Sequence, residues 1–156
     1  MKEKLQNVCK YKHVLIGGFL IVFILGFFLS MRSSEKYITI GKKDVSVEIV
    51  RTNAEMAKGL SGRKELCEMC GMLFVFDDLK TRHFWMKDML FDIDIIWISD
   101  NEIVHITENV DHRGGKREIA HSIYKVNRVL EVPAGFVSQN EVHVGQKVKY
   151  FQNVFK

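Results

Sequence analysis

Between Val14 and Met31 the chain runs for 18 residues without a charged side chain, and 13 of the 16 residues Val14–Leu29 are Leu, Ile, Val or Phe. As a helix rising about 1.5 Å per residue this segment spans roughly 27 Å, close to the hydrocarbon thickness of a bilayer. Its side chains favour insertion by several kcal/mol with no charge opposing, so a single transmembrane helix is expected at 14–31. Lys2, Lys4, Lys10 and Lys12 stand ahead of it against one Glu3, and only Arg32 and Lys36 follow closely. That asymmetry predicts a single-pass protein of the cytoplasmic membrane, with residues 1–13 as a cytoplasmic basic tail and the remainder outside. Leu29–Ser34 offers no small-x-small cleavage site, so the segment is expected to stay as an uncleaved anchor. Gly26 and Ser30 form a small-xxx-small pair through which two such helices can approach as a weak homodimer.

The anchor changes the meaning of the charge. The chain has 156 residues, 47% apolar and 27% charged, with one Pro and a net charge of +4. The first 31 residues hold four Lys and one Glu, which leaves 19 basic against 18 acidic residues for the outer part. A nearly neutral domain is not a general nucleic-acid binder, so no nucleic-acid partner is expected.

Beyond the anchor the dominant period is two. Residues 32–43 read as linker and first strand, and 44–156 as an extracytoplasmic β-domain. Tyr37–Ile40 and Val45–Ile49 alternate around Gly41–Asp44 as a hairpin. Asn53 is the expected cap of a short helix that stops at Gly59. Met72–Phe76, Arg82–Lys87, Ile93–Ser99, Glu102–Val110, Arg128–Val132 and Gln146–Gln152 read as strands, with turns at Asp77-Asp78 and Asp100-Asn101. His112–Arg117, with its paired glycines, reads as a solvated loop, and a second short helix fits 134–140. The expected fold is mainly β: an antiparallel β-sandwich or partly closed barrel with one or two short helices, behind the transmembrane helix.

Several motifs then fall in a telling order: Glu48, Thr52, Glu55, Gly59-Leu60, Arg63 and Leu66, then Gly71–Phe76, Phe84-Trp85-Met86-Lys87, Asp94-Ile95 and Leu130–Gly135. Over about residues 44–150 the chain resembles the domain of unknown function 192 family. The resemblance implies a mostly β fold of the sandwich type, often behind a signal peptide or anchor, and no established activity. Two departures stand out. Relatives usually continue Phe-Trp-Met-Lys with Asn-Thr and reach the aspartate through Pro-Leu, whereas this chain has Asp88-Met89 and then Asp92-Ile93 before Asp94. Ser61 also stands where a Met is common.

Along a strand alternate residues share a face, so Trp85 and Lys87 point one way while Phe84 and Met86 point the other. If the second pair enters the core, Trp85, Lys87, Asp88, Asp92 and Asp94 form a candidate binding surface. It would be a charged rim around an indole for an envelope glycan or peptide, or a site for a hard cation. The same residues also suit a structural clasp in which Asp94 accepts from turn amides, or a catalytic acid/base pair.

Cys67 and Cys70 are a second constellation. Outside the cytoplasm such a pair can close a small disulfide. Zinc would need two further ligands, and His83, His105, His112, His121 and His143 show no His-x₃₋₅-His spacing. Thioredoxin-type chemistry would want a helix after the motif, and here a strand follows. Glu118 and His121 have the spacing of half a di-iron motif, in one copy only. No nucleophile elbow, His-Glu-x-x-His or phosphate loop is present. The sequence therefore points to a non-catalytic binding or interaction module at a prokaryotic cell envelope, with no cofactor. The alternatives are a thiol-redox or metal-dependent enzyme using Cys67 and Cys70, or a hydrolase using Asp88, Asp92 and Asp94.

Overall fold

The computed structural model describes residues 36–150, without the side chains of residues 116–119. The expected anchor at 14–31, its flanking charges and the Gly26/Ser30 pair lie outside the described residues. Among the described residues no helix is long and apolar enough to cross a membrane.

The domain is mainly β, with a curled sheet forming a half-barrel and two short helices. Its strands are β1 (Tyr37–Ile40), β2 (Lys43–Val50), β3 (Cys70–Lys80), β4 (His83–Met86), β5 (Ile93–Ser99), β6 (Glu102–Val110), β7 (Gly115–His121), β8 (Val126–Pro133) and β9 (Val148–Tyr150). The helices are α1 (Asn53–Lys58) and α2 (Phe136–Gln139). Seven strands form one sheet in the order β6-β5-β8-β3-β2-β1-β9, and β4 pairs with β7 in a separate two-stranded sheet. Neighbours are antiparallel except β2 and β3, which run parallel with Ser46 opposite Cys70 and Val50 opposite Phe74. The two edges of the large sheet meet at one end. There Ile103 N donates to Gln146 O, Gly145 N to Ile103 O and Val148 N to Asn101 O, at 3.0, 2.8 and 2.8 Å. Partial closure removes part of the unpaired edge that an open sheet would leave.

Period-two alternation in β3, β5 and β8 feeds two cores. Leu73, Val75, Ile96, Ile98, Leu130 and Val132 point inside the curl, where they pack with Ile38, Ile40 and Val45 and are plugged by Phe136 and Val137 of α2. Met72, Phe74, Ile95, Trp97 and Val129 point outward and are covered by Leu60, Met86 and Met89. The central strands are thus buried on both faces. Gly71 of β3 lies so close to β8 that a Cβ there would stand 2.8 Å from Leu130 Cδ1 and 3.0 Å from Glu131 O.

Asp94 is fully buried and faces the inner core. Its Oδ1 accepts from Asn109 N at 2.8 Å and its Oδ2 from Val137 N at 3.0 Å. Asn109 belongs to a bulge in β6, where the register shifts between the pairs Ile93–Val110 and Ile95–Thr107, and its φ of +53° is left-handed. One carboxylate therefore satisfies a bulge amide that has left the ladder and the first turn of the plugging helix.

Three expectations are corrected. The cap of α1 is Thr52 rather than Asn53: Thr52 Oγ1 accepts from Glu55 N at 3.2 Å while the Glu55 carboxylate accepts from Thr52 N at 2.9 Å. This capping box satisfies two free amides reciprocally, which a cap at Asn53 would not. β3 runs through Asp77-Asp78 to Lys80 instead of turning there, and Asp78 pairs with Lys80 and Arg82 at its far end. The glycine-rich segment is not a plain loop. Asp111 caps a 3₁₀ turn over His112–Gly114, and Gly115, at φ +65°, leads into strand β7, which gives β4 its partner. Glu118 and His121 consequently lie on a strand, not on the helix that a di-iron pair requires.

Asp94→Ala is expected to destabilise the domain by about 2–5 kcal/mol, because one buried and one partly buried amide lose their acceptor. Asp94→Asn, which keeps one acceptor oxygen, is expected to lose less. Urea denaturation of the two variants checks the order, and equal stability to the parent would remove the clasp.

Candidate functional site

The outer core is incompletely filled. Where α1, the loop after it and β4 cover β3 and β8, they leave a cavity of about 540 Å³, within the usual range for small-molecule sites. Phe74 and Glu131 belong to the sheet beneath it. Met56–Ser61 form one side, and Thr81–Trp85 with Phe76 and Met89 complete the lining. Most of these surfaces are aromatic, thioether or aliphatic.

The Phe-Trp-Met-Lys strand divides as its alternation predicts. Phe84 leans edge-on against Phe74, ring centres 4.8 Å apart, and against Trp97 at 5.5 Å, which fixes β4 to the outer face of the sheet. Met86 is buried beside it. Trp85 remains 48% exposed and is one of the residues that line the cavity. The opposite side is held by Ser61 Oγ, which donates to Lys87 O at 2.7 Å, and by Gly62 N, which donates to Asp88 O at 2.8 Å.

Glu131 is the residue that sequence reasoning passed over. It sits in β8 between Met72 of β3 and Ile95 of β5. It is 5% exposed and its Oε2 has no hydrogen-bond partner. Gly59 passes close above, since a Cβ there would stand 4.0 Å from Oε2. Burial without a counter-charge pushes this carboxyl up to about 8, so it is largely protonated at neutral pH. The signal was present in the sequence: Val129-Leu130-Glu131-Val132 places one carboxylate in an otherwise apolar strand. The other charged or titratable groups on the cavity are Lys58, Arg82 and His83. Arg82 is engaged already, with its guanidinium 3.9 Å above the Phe76 ring and paired with Asp78.

Of the candidate binding residues only Trp85 lines the cavity. Lys87 is partly exposed and lies 3.8 Å from Asp88. Asp88 adopts φ +56°, a left-handed turn conformation that Asn and Asp tolerate better than other side chains. Asp92 turns away to His112: its Oδ1 accepts from His112 N at 2.9 Å and contacts Nδ1 at 2.6 Å, and these bonds hold its carboxyl below the usual range. Asp94 is inside the barrel. The three carboxylates do not share a surface.

Asp92, Asp111 and His112 do converge, with ligand-type atoms within 4.8 Å of one another. Arg113 already grips Asp111 through Nε and Nη2, which holds that carboxyl well below its ordinary value. The cluster is therefore accounted for by its own hydrogen bonds. Cys67 and Cys70 are joined in a disulfide with Cα atoms 5.0 Å apart, which ties the first residue of β3 to the loop ahead of it, and neither lines the cavity.

Fold and site together define a class: a half-barrel domain whose covered outer face holds an apolar cavity with one buried carboxyl. The chain belongs to the DUF192 family, described as "Uncharacterized ACR", which it matches over residues 36–150. It is similar to a crystal structure from Sinorhizobium meliloti 1021 described as a "putative transcription regulator", at 27% identity and a TM-score of 0.68. That match covers 75% of this chain and 94% of the other, so the β-domain makes up nearly all of the crystallised protein and folds on its own there. A protein of unknown function from Novosphingobium aromaticivorans DSM 12444 is similar at 28% identity and a TM-score of 0.67, covering 73% and 84% of the two chains. No curated protein matches the sequence.

The buried carboxyl makes stability depend on pH. Between about 4.5, where an unfolded glutamate ionises, and about 8, the folded chain keeps a proton that the unfolded chain has released. Stability from this group is complete below that window and falls through it by about 1.4 kcal/mol per pH unit as pH rises. The Glu131→Gln variant is expected to lack this slope. Parallel pH profiles of unfolding free energy for parent and variant would refute the assignment.

Proposed function

We propose that this protein is a non-catalytic binding module of the cell envelope, held at the outer face of the cytoplasmic membrane by residues 14–31, with its ligand in the cavity beside Trp85. The carrying observation is the cavity itself: about 540 Å³, mostly apolar, with the half-exposed Trp85 in its lining and the unpartnered Oε2 of Glu131 within. That combination is the usual composition of a small-molecule site. The lining favours an apolar molecule or an apolar peptide side chain over a glycan, because most of its surface is apolar and two of its polar side chains, Ser61 and Arg82, are engaged with Lys87 O and Asp78. The topology half of the proposal draws support from the uncharged run, the lysines ahead of it and the Cys67–Cys70 disulfide, a bond characteristic of oxidising compartments.

N-phenyl-1-naphthylamine, a neutral apolar dye that brightens on leaving water, is the first probe. Saturable binding to residues 36–156 is expected, weakened about tenfold or more by Trp85→Ala, a loss near 1.4 kcal/mol. Unchanged binding by a folded Trp85→Ala variant would place the dye elsewhere and remove the site.

For the anchor, the full chain is expected to stay in the membrane fraction through an alkaline wash, and a chain lacking residues 1–31 to leave it. Release of the full chain by the wash would overturn the anchor.

A further inference from the structure

Of the polar residues that line the cavity, Glu131 is the buried one, and the structure constrains how that group is used. A carboxylate taken out of water without a cation or donors beside it is strongly disfavoured, and such a group takes up a proton instead. The immediate strand neighbours of Glu131 are Met72 and Ile95, neither of which can pair with it. The positive or titratable groups on the cavity, Lys58 from α1 and Arg82 and His83 from the β4 side, leave Oε2 without a hydrogen-bond partner.

We infer that Glu131 is a neutral hydrogen-bond donor inside the cavity, and that the ligand is a largely apolar, uncharged molecule bearing a carbonyl-type acceptor. This rests on the cavity being the ligand site. A cationic ligand is disfavoured, because it would need Glu131 ionised beside it in an apolar enclosure, where desolvating both charges offsets their attraction. An anionic end would have to give up its hydration in a mostly apolar enclosure where Arg82 is already held by Asp78. A ketone, ester or amide oxygen meets neither objection, and it accepts the proton that the acid holds. The aromatic faces of Phe74, Phe84 and Trp85 suit the apolar body of such a molecule.

Three probes of nearly equal shape separate the possibilities: acetophenone, ethylbenzene and α-methylbenzylammonium. Each is titrated against the naphthylamine dye on residues 36–156 at about pH 6, 8 and 9, bracketing the value to which burial brings Glu131. At about pH 6 acetophenone is expected to compete about three- to tenfold better than ethylbenzene, the advantage of one hydrogen bond. The preference should vanish at about pH 9 and in Glu131→Leu. Glu131→Gln, whose amide still donates, should keep it at every pH; this variant also carries the test if the leucine variant does not fold. Equal competition by acetophenone and ethylbenzene at about pH 6 would overturn the donor role while leaving the cavity as a binding site. Tightest binding by the ammonium, strengthening from about pH 6 to about pH 8, would make the site a cation site and overturn the inference. Failure of all three probes to displace the dye would overturn the cavity reading and this inference with it.

Discussion

The structure depends on one constraint: its central strands are apolar on both faces. β3, β5 and β8 send alternate residues to two separate cores, so the sheet cannot rest one side in water as many antiparallel sheets do. The inner face covers itself by curling and by drawing in α2. The outer face has no such recourse, because curvature carries its side chains apart. It is covered by excursions of the chain, α1 with its following loop on one side and the β4–β7 pair on the other. The cavity is what these covers leave unfilled, and Glu131 lies in it because position 131 belongs to the outward set.

Three aspartates in one short stretch do three unrelated things, which shows how little residue type says without backbone. Asp88 serves a left-handed turn, a conformation that Asn and Asp tolerate better than other side chains. Asp92 ties the 3₁₀ turn at His112 to the start of β5. Asp94 stands inside the barrel and joins a bulge to a helix end. The apparent acidic cluster is linear only. The alternation of β5 carries Asp94 to the face opposite Ile95 and Trp97, away from the cavity.

Much of the fold was legible because it is local. The bounds of β5 and β6 follow directly from alternation closed by Asp100-Asn101, and the first hairpin follows from Gly41 at φ +61°. What escaped was set by distant partners. β7 starts at the second of two paired glycines and carries charges that look like a loop, and it is a strand because β4 offers it hydrogen bonds. β3 passes through two aspartates because its far end projects beyond the core, where they remain exposed. The parallel pairing of β2 with β3 leaves no mark in either segment. Glu131 was visible as an oddity in an apolar strand, but its burial on the outer face depends on strand order. Trp85 was legible for the opposite reason: its neighbours Phe84 and Met86 carry the apolar alternation, so the indole was left facing out.

The parallel pair has a further consequence. Parallel neighbours cannot be joined by a tight turn, so the chain must travel from Val50 to Cys70 over the outside of the sheet. That detour supplies one flank of the cavity, and the β4–β7 pair supplies the other. Neither flank is part of the hydrogen-bonded barrel. Leu60, Met86 and Met89 of these flanks are tied to the outer core by packing, but the exposed parts can change in length or residue without disturbing the ladder. The shape of the cavity can thus differ between relatives whose barrels superimpose.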